Sequence, residues 1–144
     1  MRNPFQIFIL FFILFSFTTL VSAEGSQPSY EVSPIGWVRK IEGKTFIEIN
    51  KQYQDALLGL EQFNSIWVLY WFDRNDTPEK RSILQVHPRA NLDNPLRGVF
   101  ATRAPVRPNL IALSRCDIIS IKENVIEIDY IDAFPNTPVL DIKP

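Results

Sequence analysis

Alternation of apolar and polar residues predicts two β-hairpins. The first joins strands at residues 37–39 and 45–49 through a turn that contains Gly43, and Ile47 and Ile49 alternate with polar or larger residues in its second strand. The second joins residues 117–121 to residues 125–131. A period of two places every other side chain on one face of a strand, so we expect each hairpin to bury one face.

The middle of the chain predicts a buried strand and a short helix. Residues 66–72 form a continuous apolar and aromatic run of strand length, which is typical of a strand buried on both faces. Apolar residues recur at three- and four-residue spacing in residues 51–60, which predicts a short amphipathic helix that covers a sheet. Residues 73–80 have the composition of a turn, and residues 83–87 predict a further strand.

Two stretches rich in proline and asparagine complete the pattern. Residues 88–97 predict a long loop, and residues 135–144 predict an irregular tail after the second hairpin. Several strands with one clear helix favour a mostly β, single-domain barrel or sandwich.

The chain opens with an apolar run that predicts export. Arg2 precedes an uncharged stretch from residue 5 to residue 21, and small residues follow up to Ala23, as in a secretory signal peptide. The run approaches the length that spans a bilayer, so an uncleaved membrane anchor is the alternative. A start codon at Val21 or Val32 would instead remove the segment and leave the protein in the cytoplasm. The predicted organisation is a signal peptide or anchor at residues 1–23, a linker at 24–31 and one domain at 32–144.

Composition argues against several classes of enzyme. A chain of 144 residues holds one domain of ordinary size. It has five glycines and no Gly-x-Gly-x-x-Gly fingerprint or phosphate-binding loop, so we do not expect a Rossmann domain. The single histidine and single cysteine, His87 and Cys116, make neither a metal site nor an internal disulfide. We expect His87 to orient a loop rather than to transfer protons.

Positive charge is concentrated in one segment, although the formal net charge of the chain is −1. Residues 79–115 contain seven lysines and arginines but two acidic residues. Arginine suits phosphate and carboxylate groups because its guanidinium stays charged and donates two parallel hydrogen bonds. The segment therefore predicts an anion-binding site. The alternative is that these cations pair with the acidic C-terminal third of the chain.

Residues 98–114 carry the most distinctive part of this segment. Arg103 and Arg107 lie four positions apart, each is followed closely by a proline, and Asn109 comes next. Proline fixes φ and removes a hydrogen-bond donor, so these residues are expected to form a stiff, irregular loop. Such a loop holds guanidinium and amide groups at fixed positions, which suits a binding site.

Four short motifs follow one another along the predicted domain. They are Ile-Gly-Trp-Val at residues 35–38, Gly-Val-Phe-Ala-Thr-Arg at 98–103, Arg-Pro-Asn at 107–109 and Thr-Pro-Val-Leu-Asp-Ile-Lys-Pro at 137–144. With these motifs the chain resembles the TsaA-like family, also called the TrmO family, over residues 34–144. Members of that family are S-adenosylmethionine-dependent tRNA methyltransferases. They methylate N6 of threonylcarbamoyladenosine next to the anticodon and are built on a small β-barrel.

The resemblance implies a fold, a cofactor and a set of site residues. The expected fold is a small TsaA-like β-barrel with one or two short helices, preceded by the N-terminal apolar helix. The implied cofactor is S-adenosylmethionine and the implied partner is tRNA, with a homodimer as a further expectation, and no residue is assigned a catalytic role. The predicted binding residues are Arg103, Leu113, Asp132, Phe134, Phe72 and Asp73 for the cofactor and Arg107 and Asn109 for the substrate.

Three of these residues have a second interpretation. An aromatic ring such as that of Trp71, Phe72 or Phe134 can stack on adenine or face a sulfonium. Phe72, Phe134 and Leu113 would equally serve as ordinary core residues.

The chain also departs from the family pattern. Members usually carry a longer stretch after Val38, with a Pro-Arg-Gln segment that contacts the cofactor, whereas residues 39–44 here form a bare hairpin turn. Ser65, Asp73 and Val106 stand where histidines are common. Together with the predicted export, these departures favour an alternative function, an exported, non-catalytic binding domain that has lost part of the cofactor site. A structural protein without a ligand is the third interpretation.

Overall fold

Six of the eight β-strands in the described part of the chain close into a barrel. The computed structural model describes residues 28–144, and the barrel lies within the compact unit formed by residues 31–144. The strands are β1 (Gly36–Ile41), β2 (Lys44–Ile49), β3 (Ser65–Trp71), β4 (Gln85–Val86), β5 (Arg97–Gly98), β6 (Ile111–Lys122), β7 (Val125–Ile128) and β8 (Pro138–Lys143). Around the barrel the order is β1-β2-β7-β6-β3-β8, with all neighbours antiparallel, while β4 and β5 form a separate two-stranded ribbon.

This architecture confirms a mostly β barrel with short helices. The expected N-terminal apolar helix and the leader at residues 1–23 lie outside the described residues. Between residues 28 and 144, every helix is too short or too polar to cross a bilayer.

Both predicted hairpins are present. The turn between β1 and β2 consists of Glu42 and Gly43, whose φ angles of 49° and 78° are those of the two-residue turn that matches strand twist. β6 and β7 pair around Glu123, which also has a positive φ, at 53°. The inward residues of the hairpin strands supply much of the core, namely Val38, Ile47, Ile49, Cys116, Ile126 and Ile128.

The prediction of an irregular C-terminal tail is wrong. Residues 138–143 form β8, which closes the barrel between β1 and β3. Pro138 is the first residue of the strand, a position that proline tolerates because it needs no amide donor there. Val139 points into the core and is fully buried.

The central strand is buried on one face rather than both. In β3 the inward residues Ile66, Val68 and Tyr70 are buried, whereas the outward Trp67 is 37% exposed. Leu69 and Trp71 on that outer face are only partly buried. Because the residues of the outer face are also apolar, the sequence shows no alternation of polar and apolar positions that would reveal a strand buried on one face only.

The helical predictions are also corrected. Residues 51–60 hold no α-helix. They contain the 3₁₀ helix Lys51–Leu57 and the start of a second one, Leu60–Gln62, and Leu57 is the only buried residue of the two. The α-helix of the described chain, α1 (Pro78–Arg81), lies where a turn was predicted. Thr77 caps it by accepting a hydrogen bond from the Lys80 amide, and proline occupies its first position.

The segment between α1 and β6 is mostly irregular. The strand predicted at residues 83–87 shrinks to the two residues of β4, which pair with β5. The predicted long loop at residues 88–97 is present, with a 3₁₀ turn at Pro88–Ala90. His87 holds it closed, since its Nδ1 lies 2.7 Å from the carbonyl oxygen of Asn94 and must carry the proton to donate. His87 thus orients a loop, as predicted.

Cys116 is expected to resist thiol reagents in the folded protein. Its side chain is 1% exposed in the barrel core, and burial, followed by the nearby carboxylates of Asp129 and Asp117, raises the pKa of the thiol to about 12. Since the thiolate is the reactive form, labelling by a disulfide reagent near about pH 8 should be negligible until denaturant is added, when one thiol per chain reacts. Rapid labelling of the native protein would contradict this burial.

Candidate functional site

The first half of β6 has a partner strand on one side only. Residues Ile111 to Asp117 pair with β3, but pairing with β7 begins at Ile118. Within residues 28–144 no strand covers the other edge of this half. The segment 132–134, which follows β7, lies across the gap, and a cavity of about 480 Å³ is lined by both. We call this the main cavity. Its volume is in the range of small-molecule sites.

An arginine-rich loop forms a second wall of the main cavity. Residues 102–109, the arginine loop, follow the 3₁₀ turn Val99–Ala101. The Thr102 hydroxyl donates to the Val99 carbonyl oxygen at 3.0 Å and accepts from the Ala104 amide at 3.2 Å, and Arg107 donates to the same Val99 oxygen at 3.3 Å. These contacts confirm an irregular loop that its own side chains hold in place.

Arg103 is the exposed cation of this loop. Its side chain lines the main cavity, and its closest hydrogen-bond partner is the carbonyl oxygen of Leu113, at a long 3.5 Å. Among the described residues it makes no ion pair. The guanidinium therefore keeps most of its donors available for an anionic ligand.

Tyr70 joins three parts of the site. It points inward from β3, and its hydroxyl donates to the carbonyl oxygen of Asp132 at 2.8 Å. The Ser114 hydroxyl lies 3.2 Å away and must donate, because the single tyrosine proton is already used. Burial raises the pKa of Tyr70, so the phenol stays protonated at neutral pH. These bonds fix the segment 132–134 against β3 and β6.

Replacing Tyr70 with phenylalanine should lower the free energy of unfolding by about 1–2 kcal/mol, because the Asp132 carbonyl loses its donor. Urea denaturation measures the change. Tyr53 is the matched control, since it is 37% exposed and its hydroxyl has no hydrogen-bond partner among the described residues. Tyr53→Phe should leave stability unchanged, and equal effects of the two substitutions would show that the hydrogen bonds of Tyr70 contribute nothing.

Two phenylalanines bring aromatic surface to the main cavity. Phe72 packs edge-to-face on Tyr70, with ring centroids 5.8 Å apart. Phe134 is 59% exposed, and the Arg74 guanidinium lies 3.9 Å from its ring centroid. The Phe72 ring is thus packed into the cavity wall, whereas the exposed Phe134 ring makes a cation–π contact with Arg74.

The carboxylates near the cavity differ in their surroundings. Asp73 and Asp132 line the cavity and make no ion pair within the described chain. Asp76, by contrast, accepts from Arg81 at 2.8 Å and from the Trp71 indole at 3.0 Å, and these hydrogen bonds lower the pKa of its carboxyl. Arg81 also donates to the Pro108 carbonyl oxygen at 3.0 Å. Asp76 therefore helps to anchor the arginine loop.

The structure brings most of the predicted site residues together. The residues that line the main cavity are Phe72, Asp73, Arg103, Arg107, Leu113, Asp132 and Phe134. Asn109 is exposed and lines neither this cavity nor the smaller one beside it. Of the residues that could have been core, Leu113 and Phe134 are 43% and 59% exposed, which argues against that interpretation. Their roles in binding stay predictions.

Sequence reasoning missed Tyr70, Ser114 and Arg74. Tyr70 was hidden in an apolar run, although a tyrosine in a buried strand signals a polar partner for its hydroxyl. Nothing local distinguishes Ser114 or Arg74.

The alternative explanation of the clustered cations accounts for one contact. In the described chain, Arg115 lies 3.6 Å from an oxygen of Asp117, and Arg81 pairs with Asp76, which is outside the C-terminal third. Arg103 and Arg107 make no ion pair there. The cations of the arginine loop are thus available to a ligand.

The described chain is a six-stranded β-barrel with a cavity beside it that arginines, carboxylates and aromatic rings line. Within residues 28–144, no three metal-ligating side chains come together. Residues 31–144 match the model of the tRNA-methyltransferase O N-terminal domain, and the chain belongs to this family, TrmO.

Relatives within the family differ in length. A protein of Methanocaldococcus jannaschii, named as a probable S-adenosyl-L-methionine-binding protein, is 48% identical over 114 residues, which are 79% of this chain and 90% of that protein. The human tRNA (adenine(37)-N6)-methyltransferase is 40% identical over 91 residues, which are 63% of this chain but 20% of the human protein. A crystal structure of TrmO from P. aeruginosa has a TM-score of 0.64 and 30% identity, and covers 84% of this chain and 56% of that chain.

Proposed function

We propose that this chain is an S-adenosylmethionine-dependent methyltransferase whose cofactor binds in the main cavity. The observation that carries the proposal is the gathering of an unpaired arginine, two carboxylates and two phenylalanines around one cavity of about 480 Å³. Two relatives that align with most of this chain are named as probable S-adenosyl-L-methionine-binding proteins.

The residues of the cavity fit the parts of this cofactor. Arg103 suits its carboxylate, and Asp73 and Asp132 suit its amino group and ribose hydroxyls. The rings of Phe72 and Phe134 suit adenine or the sulfonium. One face of Phe134 already holds the Arg74 guanidinium, so the other face is the one open to the cofactor. When bound, the cofactor supplies an activated methyl group.

The protein's contribution to such a transfer is positioning. A methyl group on a sulfonium needs a nucleophile aligned with the carbon–sulfur bond more than it needs a strong acid or base. The hydrogen bonds of Tyr70 hold the segment with Asp132 in place, and those of Thr102 hold the arginine loop. Both walls that would contact the cofactor are therefore fixed in advance.

We further propose that the acceptor is N6 of threonylcarbamoyladenosine in tRNA. The human relative is named a tRNA (adenine(37)-N6)-methyltransferase, and its similarity covers residues that line the site. Incubation with labelled cofactor and tRNA, with and without the threonylcarbamoyl group, tests the substrate by mass spectrometry of the digested RNA. Methylation of both RNAs, or of neither, would contradict this specificity.

Cofactor binding is tested separately from transfer. Calorimetric titration of the purified protein with S-adenosylmethionine should give a saturable signal. Absence of binding at millimolar cofactor would overturn the enzyme proposal.

A second candidate function is an exported, non-catalytic binding domain. The two-residue turn at Glu42 and Gly43 supports it, because β1, which leads into this turn, contacts the chain next to the site. Lys40 of β1 donates to the Ile131 carbonyl oxygen at 3.2 Å, directly before the segment that lines the main cavity. Residues 39–44 lack the Pro-Arg-Gln segment that the family usually carries in this hairpin and that contacts the cofactor. This candidate requires ligand binding without methyl transfer.

The proposal that the domain is exported or anchored in a membrane rests only on the sequence of residues 1–23. A reporter enzyme that is active only outside the cytoplasm, fused behind residue 31, distinguishes the locations. Activity would support export or anchoring, and membrane fractionation would separate the two. An inactive reporter would place the domain with tRNA and cofactor in the cytoplasm.

A homodimer is the remaining proposal on partners. The segment between α1 and the arginine loop exposes Leu84, Leu92 and Phe100 by 61%, 80% and 80%, and such apolar side chains could be covered by a second copy of the chain. Sedimentation of Phe100→Asp against the unchanged chain tests this. If the substituted and unchanged chains sediment with the same mass, this surface does not mediate self-association.

A further inference from the structure

A second, smaller cavity adjoins the main one. It measures about 300 Å³ and shares Arg103, Ser114 and Asp132 with the main cavity. We call it the side cavity. Its remaining walls come from Trp67, Arg115, Tyr130 and Ile131, none of which lines the main cavity. Arg103 therefore stands at the junction of two adjacent spaces.

Two aromatic rings in the side cavity are not used by the core. Trp67 lies on the outer face of β3 and is 37% exposed, and Tyr130 is 62% exposed just after β7. The Lys40 ammonium lies 5.6 Å from the centroid of the Tyr130 ring. Exposed rings in a concave site offer flat surfaces on which an aromatic ligand can stack.

The side cavity is also positively charged. The Arg115 side chain is 60% exposed, and it contacts the Ser65 hydroxyl at 3.0 Å and an oxygen of Asp117 at 3.6 Å. Neither contact uses its guanidinium fully. Among the lining residues, the two cations Arg103 and Arg115 stand against one carboxylate, that of Asp132. An aromatic ligand with a phosphate group matches this combination of rings and cations.

We infer that the side cavity is the acceptor subsite and that it holds one unpaired nucleotide. The base stacks on Trp67 and Tyr130, and the phosphate contacts Arg115. The inference rests on the proposed function, since it places the acceptor beside the cofactor on the other side of Arg103. Direct contact between the two cavities is what a transfer between two bound molecules requires.

A short fluorescein-labelled single-stranded oligoadenylate is the probe, added to the full chain and followed by fluorescence anisotropy. Trp67→Ala should weaken its binding about tenfold or more, as loss of a stacked base does. Trp67→Phe, which keeps a ring, should retain most of the affinity. Arg115→Gln should weaken binding and reduce the slope of log affinity against log salt by about one.

The matched controls lie outside both cavities. Tyr53 has the same 37% exposure as Trp67, and Lys51 is an exposed cation on the same 3₁₀ helix. Tyr53→Ala and Lys51→Gln should bind the probe as the unchanged chain does. Thermal melts of every variant separate loss of binding from loss of folding. If Trp67→Ala does not fold, Arg115→Gln still tests the phosphate contact, with Trp67→Phe as the variant that should keep probe affinity.

The outcomes separate this inference from the proposed function. Wild-type affinity in Trp67→Ala and Arg115→Gln, or no binding of the probe by the full chain, would overturn the subsite. Equal loss of cofactor affinity in these variants would overturn it too, because the side cavity would then belong to the cofactor. Binding of the probe through Trp67 and Arg115 without any cofactor binding would support a nucleotide site in the side cavity, but it would overturn the methyltransferase and with it the role of this cavity as acceptor subsite.

Discussion

Arg103→Ala should weaken the binding of S-adenosylmethionine by on the order of ten- to hundredfold. A hydrogen-bonded charge pair is worth about 1.5–3 kcal/mol. Arg103 lines the main cavity, makes no ion pair in the described chain, and has only a long hydrogen bond of 3.5 Å to the Leu113 carbonyl oxygen. The cofactor affinity of Arg103→Lys should lie between those of the unchanged chain and Arg103→Ala, since lysine keeps the charge but loses the paired donors. Calorimetric titration with the cofactor measures all three proteins.

Arg97 provides the matched control. It is an exposed arginine of β5, close in sequence, and it lines neither cavity. Arg97→Ala should bind the cofactor as the unchanged chain does. If Arg97→Ala and Arg103→Ala lose affinity equally, general positive charge attracts the cofactor, and the specific role of Arg103 is wrong.

The parts of the fold that local sequence could predict are the hairpins. Their strands alternate isoleucine with polar residues, and a glycine at position 43 marks a turn that needs positive φ. Both signals lie within a dozen residues. The same locality explains why the arginine loop was predicted, because its prolines exclude regular structure wherever the segment lies.

The parts that failed depend on distant partners. β8 is a strand because Trp37 pairs with Pro138 and Tyr70 pairs with Val139, and the first of these pairs joins residues that are 138 − 37 = 101 positions apart. In β3 the apolar outer face carries no polar marker. Residues 51–57 form a 3₁₀ helix with one buried residue instead of the predicted amphipathic helix. The spacing of apolar residues alone does not distinguish the two kinds of helix.

The candidate site shows the same division. Family motifs, rather than physical reasoning, brought Asp132 and Leu113 into the predicted set, and the structure places both on one cavity with Arg103. The open edge of β6 could not be predicted, since it arises from the different lengths of β6 and β7. Both cavities are lined by residues of this unpaired half of β6 and by Asp132, so the site lies where β6 extends beyond β7.

The largest expected effect on stability comes from Gly36, the glycine of the first family motif. Gly36 begins β1 and pairs with Ile49 of β2 and Val139 of β8. A Cβ atom built on it would overlap the Glu48 carbonyl oxygen and lie 2.9 Å from the Cα of Ile49, both of which are backbone atoms. β2 has no room to move away, because it also pairs with β7 and the Ile49 amide donates to the Asn124 carbonyl oxygen at 2.8 Å.

Gly36→Ala should therefore lower the free energy of unfolding by about 3 kcal/mol or more, at the upper end of overpacking costs. Gly98→Ala is the matched control. Its Cβ would meet nothing closer than the Leu84 carbonyl oxygen at 3.9 Å, and its φ of −62° suits any residue. That change should leave stability within about 0.5 kcal/mol. Urea denaturation of the two variants gives the comparison, and equal midpoints would mean that β1 and β2 do not approach as closely at Gly36 as the barrel requires.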